Sequence, residues 1–251
     1  MAPEHPAEER TPRRRPLQVA AGVLGDLLFT VGVLLALLVV YSLWWTNLTA
    51  GRHADRSAER LRRAWSAAAP TAPTASPTGA ASTAAPPPYE AGGGIGFLHV
   101  PGLGAGYQVL IEAGTDKDTL ADGVAGVYTA PYPSAMPWDA QGNFALAAHR
   151  DGHGAKFHDL DRLKPGDPLV VETHDRWYVY RVDATLPETS KYDTGVIAPV
   201  PTGSPYTEPG RYITLTTCTP VYTSLYRMAV WGSLVREEPM DPGRTPPAEL
   251  R

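Results

Sequence analysis

The apolar positions of this chain change their spacing twice. From Leu27 to Trp45 they are almost continuous, and "LLFTVGVLLALLVVYSLWW" carries no charge. A helix apolar on every face and of this length comes close to the ~20 residues that cross a bilayer. It outruns a signal-peptide core, and no small-residue cleavage site follows it. The pattern predicts one transmembrane helix over residues 22–45, with Tyr41, Trp44 and Trp45 at one interface as an aromatic belt. Beyond it, Ala54, Ala58, Leu61 and Trp65 recur at helical spacing among arginines. That spacing fits either an amphipathic helix lying on lipid headgroups or a solvated extension of the span. The tract "PTAPTASPTGAASTAAPPP", residues 70–88, has no such period. It buries too little to fold, and reads as a disordered, extended spacer that holds the following domain away from the bilayer.

From Ile95 the chain breaks into short strand-like runs. "IGFLHV", "YQVLIE", "FALAA", "PLVVET", "WYVYRV", "YITLTT" and "YRMAVWGSLV" are rich in Val, Ile, Leu, Tyr and Trp, and Gly, Pro, Asp and Ser punctuate them. "PLVVETHDRWYVYRV" reads as a hairpin turning near His174, Asp175 and Arg176. Helical signals are confined to "DKDTLADG" (116–123) and "HDLDRLKPGD" (158–167). Many short strands across residues 95–237 predict an all-β domain, either a closed barrel or a sandwich. The polar, Pro-rich tail, residues 238–251, is expected to be disordered. The chain therefore divides into an N-terminal tail (1–21), the span (22–45), a juxtamembrane segment and linker (46–94), the folded domain (95–237) and the tail.

Composition narrows the function. The 24 Gly and 26 Pro among 251 residues favour turns over long packed helices. A net charge of −4 lacks the basic excess that tracks phosphates, so no nucleic-acid partner is expected. The single cysteine, Cys218, excludes an internal disulfide and a Cys-based zinc site. Arginines flank the span on both sides, Arg13, Arg14 and Arg15 before it and Arg52, Arg56, Arg60, Arg62 and Arg63 after it. The positive-inside rule therefore gives no orientation.

A free cysteine is ordinarily a small buried hydrophobe. Cys218 instead ends a strand and precedes the turn signal Thr219-Pro220. A thiol becomes a useful nucleophile beside a cation or an imidazole. If residues 219–224 join two antiparallel strands, Arg227 returns near Cys218, where a guanidinium could stabilise an oxyanion. The other reading of Arg227 is an ordinary surface arginine. Among the imidazoles, His5 lies in the head, His53 beside the span, His99 in the first strand and His174 in a hairpin turn. That leaves His149, His153 and His158 in "FALAAHRDGHGAKFHDL". His149 closes an apolar strand as Cys218 closes its own. The cluster of His149, His153, His158 and Asp159 could instead ligate a metal, but the His149/His153 pair needs a helix. Asp151, Gly152 and Gly154 break a helix there, so no metal is expected.

"TLTTC", the arginine nine positions on within "LYRMAVWG", and the upstream "NFALAAHR" together resemble the sortases. These are membrane-anchored cysteine transpeptidases of Gram-positive bacteria, and the wording is most similar to class E of the actinobacteria. "SAMPWDAQGNFALAAHRDGHGAKFHDLDRLKPGD" and the linker behind an N-terminal span belong to the same resemblance. It implies a closed eight-stranded β-barrel with short helices, no cofactor, a cytoplasmic N-terminus and an extracytoplasmic active site in the cell membrane. Cys218 would be the nucleophile, His149 the general acid/base and Arg227 the oxyanion stabiliser. Thr217 and a tyrosine upstream of "AMP" would contact substrate; Tyr128 is favoured over Tyr132. The implied partners are secreted proteins with C-terminal LAxTG- or LPxTG-type signals, cut between Thr and Gly, and a peptidoglycan-precursor amine. The alternative is a non-catalytic β-barrel binding module on a membrane stalk, with Cys218 buried. Two departures stand out: Thr219 where the family often has His, and "AAHR" for "AGHR". "LPETS", residues 186–190, is read as a loop that matches a sorting motif by chance.

Overall fold

The computed structural model describes residues 16–67 and 94–251, and in the first stretch the side chains of residues 20–41 and 49–67. The N-terminal tail to residue 15, the 70–88 spacer and the belt side chains of Trp44 and Trp45 lie outside the described residues. The chain divides into two compact units after Trp45. Helix α1 (Pro16–Ala67) begins in the first. There Ala20–Tyr41 is long and apolar enough to cross a membrane, and Leu27, Phe29, Leu34 and Leu38 are exposed.

The second unit is a closed barrel. Its strands are β1 (Gly94–His99), β2 (Gln108–Ala113), β3 (Ala125–Val127), β4 (Gly142–Ala147), β5 (Pro168–Glu172), β6 (Arg176–Ser190), β7 (Arg211–Thr219) and β8 (Tyr226–Pro239). They close in the order β1-β2-β3-β4-β7-β8-β6-β5. The β2–β3 and β4–β7 pairs are parallel and the others antiparallel. Helix α2 (Lys117–Ala121) starts at Asp116, whose carboxylate accepts from the Asp118 and Thr119 N–H groups, a normal N-cap.

Successive strand residues point to opposite faces. Phe144 and Leu146 of β4, Ile213 and Leu215 of β7, and Met228 and Val230 of β8 therefore fill the interior. Ala145, Ala229 and Trp231 face outward and carry a second apolar cluster. A 3-10 turn, Thr194–Ile197, roofs this outer face. Val196 and Ile197 pack on it, and the Trp231 indole N–H donates to the Val196 carbonyl at 3.0 Å. Asn143 pins the roof from β4 through Ala198 O at 3.0 Å. "LPETS" is not a loop: it lies in β6 and pairs with β8 across a bulge between Leu186 and Thr189.

The C-terminal half of α1 takes neither arrangement its spacing suggested. Ala54, Ala58, Leu61 and Trp65 pack on Phe97, Leu110 and Val124, outside the barrel. Trp65 meets Phe97 edge-on at 5.5 Å. The stripe has a protein surface to cover because Phe97 and Leu110 point away from the interior that Leu98 and Val109 fill.

The tail from Glu238, expected to be disordered, is folded against the barrel. Met240 and Leu250 pack on Val170, Trp177 and Val179. The Glu249 carboxylate takes hydrogen bonds from Arg236 (2.8 Å) and Arg181 (3.1 Å). Its anchors are mostly charge pairs, which a polar composition conceals.

Tail, helix and barrel meet at Glu172, whose side chain is 3% exposed. Arg244 (2.9 Å), His99 (2.9 Å) and Arg62 (3.3 Å) converge on it. Burial alone would raise this carboxyl above the ordinary 4.5, but the His99 and Arg244 hydrogen bonds and the Arg62 charge outweigh it and hold it lower. Glu172→Gln leaves the Arg62 and Arg244 guanidinium groups facing a neutral amide and should cost about 3 kcal/mol. A depressed carboxyl stabilises above its unfolded value and loses that stabilisation as pH falls through its folded one. Thermal melts should therefore show the native-to-variant gap at pH 7 and its narrowing once pH drops below 4.5.

Candidate active site

The same two-residue period that fills the barrel sorts the site residues. On β7, Thr214, Thr216 and Cys218 alternate with the inward Ile213, Leu215 and Thr217. On β8, Arg227 shares the outward parity of Ala229 and Trp231. Cys218 and Arg227 are direct partners in the β7–β8 ladder. Arg227 Nη1 donates to the carbonyls of Tyr226 (2.9 Å) and Ser224 (3.2 Å), which fixes the guanidinium near the turn. Cys218 is a free, partly exposed thiol.

The third residue comes from β4. The parallel β4–β7 register ends at Ala147 opposite Thr216, and the Ala148 N–H donates to Thr216 O at 3.3 Å. His149 lies two residues beyond Ala147, as Cys218 lies two beyond Thr216. His149 Nε2 is buried and has no hydrogen-bond partner among the described residues. A buried polar atom without a partner needs a reason. A nitrogen reserved for exchanging a proton with a reacting group supplies one.

The loop after His149 is conformationally unusual. Gly152, His153, Gly154 and Ala155 all have positive φ (62°, 47°, 78° and 42°). This is costly for His153 and Ala155. It brings the His153 ring onto His149, stacked with centroids 4.9 Å apart. His158 turns away and donates from Nδ1 to Arg150 O at 2.7 Å. The three imidazoles thus do not converge, and no group of metal-ligating side chains forms among the described residues.

The sortase domain family model matches residues 98–235. The chain belongs to the sortase family. It is 52% identical to sortase SrtE2 of Streptomyces coelicolor over 243 residues, covering 95% of this chain and 92% of that one. Sortase SrtE1 of the same organism is 41% identical over 227 residues, covering 90% of this chain and 60% of that one. The crystal structure of S. coelicolor sortase E1 with a tripeptide in its active site superposes with a TM-score of 0.60 at 44% identity, covering 63% of this chain and 96% of that one. The structure of sortase E from Streptomyces avermitilis gives 0.58 at 33% identity, covering 65% and 100%. The resemblance to class E and the closed eight-stranded barrel both hold.

The two expected substrate contacts fare differently in position. Tyr128 lies under the roof on the outer face with Ala229 and Trp231, and its hydroxyl shares a 2.9 Å hydrogen bond with Thr216. Burial pushes its phenol above 10.0; the Thr216 hydrogen bond and the Arg227 charge oppose this, and Cys218 adds to it. Tyr132 is exposed instead. Thr217 falls on the opposite parity from Cys218, and its hydroxyl donates to Ala148 O at 2.9 Å. It braces β7 against β4, and Thr216 is the threonine on the face of Cys218. The sequence reading also passed over Arg150, since a charge beside a Gly-rich loop looks like surface.

Burial lowers the His149 imidazole below the ordinary 6.5; the neighbouring His153 lowers it further, and Asp151 opposes both. In this sortase burial and His153 both favour the neutral form of the His149 imidazole. His153→Ala removes both the cover and the like-charge neighbour, and both changes favour protonation. The His149 titration, followed by NMR of labelled imidazoles, should move to higher pH, and the acidic limb of the pH–rate profile with it.

Proposed function

We propose that this sortase is a membrane-anchored cysteine transpeptidase acting on LAxTG- or LPxTG-type C-terminal sorting signals. The observation that supports the reading is the pairing of Cys218 with Arg227 in the β7–β8 ladder, with His149 and Cys218 each two residues past the last β4–β7 pair. Cys218 Sγ attacks the carbonyl carbon of the signal's threonine. The developing oxyanion faces the Arg227 guanidinium, which stabilises it by charge and by directed N–H groups. His149 takes the proton of the attacking thiol and gives it to the departing glycine amine, and the C–N bond breaks to leave a thioester. An amine from a peptidoglycan precursor then attacks the thioester and loses a proton to His149, which passes it to the sulfur as the C–S bond breaks, restoring the thiol and the neutral imidazole. One peptide bond is exchanged for another, and no cofactor or metal takes part. The tripeptide in the active site of S. coelicolor sortase E1 supports peptide occupancy of the corresponding face here.

The Ala20–Tyr41 segment supports anchoring by a single span. Exported substrates require a cytoplasmic N-terminus and an extracytoplasmic barrel. The decisive test is a quenched LAxTG peptide supplied with an amine acceptor. The expected results are cleavage between Thr and Gly, an amine-capped product, and an acid-trapped adduct on Cys218 seen by mass spectrometry. An uncut peptide and an inert thiol would instead support the membrane-stalked binding module.

A further inference from the structure

Parallel pairing of β4 with β7 stops at Ala147 and Thr216, with the Ala148 N–H bond just beyond. From there to Cys218 no ladder bond ties the two strand ends together. The Arg150 side chain occupies this gap and is 7% exposed. Nη1 donates to Thr219 Oγ1 at 3.0 Å and to Cys218 O at 3.4 Å. Nε donates to His158 O at 3.3 Å, and Nη2 pairs with Asp161 at 2.8 Å. The Arg150 carbonyl is held in turn by His158 Nδ1. One planar fork thus links the residue after His149 to the carbonyl of Cys218 and to the hydroxyl that follows. A guanidinium can do this because its donors are rigidly disposed; an ammonium cannot.

We propose that Arg150 and Thr219 form a clamp that sets the Cys218 thiol against the His149 imidazole. They are positioning residues, since neither is argued to touch substrate. The Thr219 hydroxyl, in a residue 8% exposed, is the acceptor that completes the clamp. The inference rests on the acyl-transfer reading of Cys218 and His149. Because the clamp acts between strand ends and not on the peptide, its loss lowers kcat and leaves KM nearly unchanged.

The test uses the full-length chain in detergent micelles, with Thr219→Val, Thr219→Ser and Arg150→Lys. Valine keeps the shape of threonine and removes the acceptor; serine restores it. Thr219→Val and Arg150→Lys should lower kcat on the order of tenfold to a hundredfold, the scale of a small misplacement of reacting groups. KM should hold, and Thr219→Ser should recover most of the rate. A second readout needs no peptide: the pH profile of Cys218 alkylation by a vinyl sulfone reports the thiol–imidazole relation. It should shift in Thr219→Val and not in Thr219→Ser. Native rates and profiles in the valine and lysine variants would overturn the proposal. So would equal losses in valine and serine variants that follow their melting temperatures. A native protein that cuts no peptide would refute the substrate assignment, and the alkylation profile would still decide the clamp.

Discussion

Cys218→Ala is expected to lose all measurable transpeptidation while the barrel melts as before. The chain has no second thiol to take over, and the loss of a nucleophile from a residue set that acts as a unit costs about 10³-fold or more. Folding should survive because Cys218 is partly exposed and its hydrogen bond to Arg150 uses the backbone carbonyl, which alanine retains. A substitution of this kind falls within about 1 kcal/mol. The measurements are kcat/KM on the quenched peptide, a thermal melt, and alkylation by a vinyl sulfone, which should add one equivalent to the native chain and none to the variant. Turnover retained by a folded Cys218→Ala protein would remove the thiol from the mechanism altogether.

What could be read in advance depended on which physical signal each feature leaves in the chain. Strands β4, β7 and β8 were legible because β-branched and aromatic residues run up to clear turn residues. The same boundaries marked Cys218 and His149 as strand ends, and the short connection from Thr219 marked Arg227 as the returning neighbour. Strand β3 has three residues, too few to display any period. The docking of α1 left a signal that went unused. "GFLHV" and "QVLIE" are apolar at both parities, as expected of strands covered on both faces, and Phe97 and Leu110 are the outer set. Parity also assigns the neighbouring threonines to opposite faces, since counting back from Cys218 in twos reaches Thr216 and skips Thr217. Arg150, Glu172 and Glu249 were invisible for a different reason. A charge is assumed to face water, and only the folded chain reveals which ones are buried with partners.

Arg227→Ala should lower kcat/KM by about 10² to 10³, the range for removing one oxyanion donor. The ladder fixes the arginine's backbone opposite Cys218, and two main-chain carbonyls hold Nη1. Both of those bonds use Nη1, and Arg227 shares the outward parity of Cys218 in the ladder. Stabilisation of charge that exists only in the transition state appears in kcat, so KM should change less than kcat. Arg227→Lys separates charge from geometry. Lysine keeps the cation and loses the planar fork that lets one edge rest on carbonyls while the other meets the oxyanion, so it should recover only part of the rate. Full recovery would mean that a point charge suffices. Alkylation of Cys218 forms no oxyanion, so the alanine variant should still be labelled readily. A variant that is labelled but does not turn over assigns Arg227 to the acyl-transfer transition state; failure of both would assign it to the reactivity of the thiol.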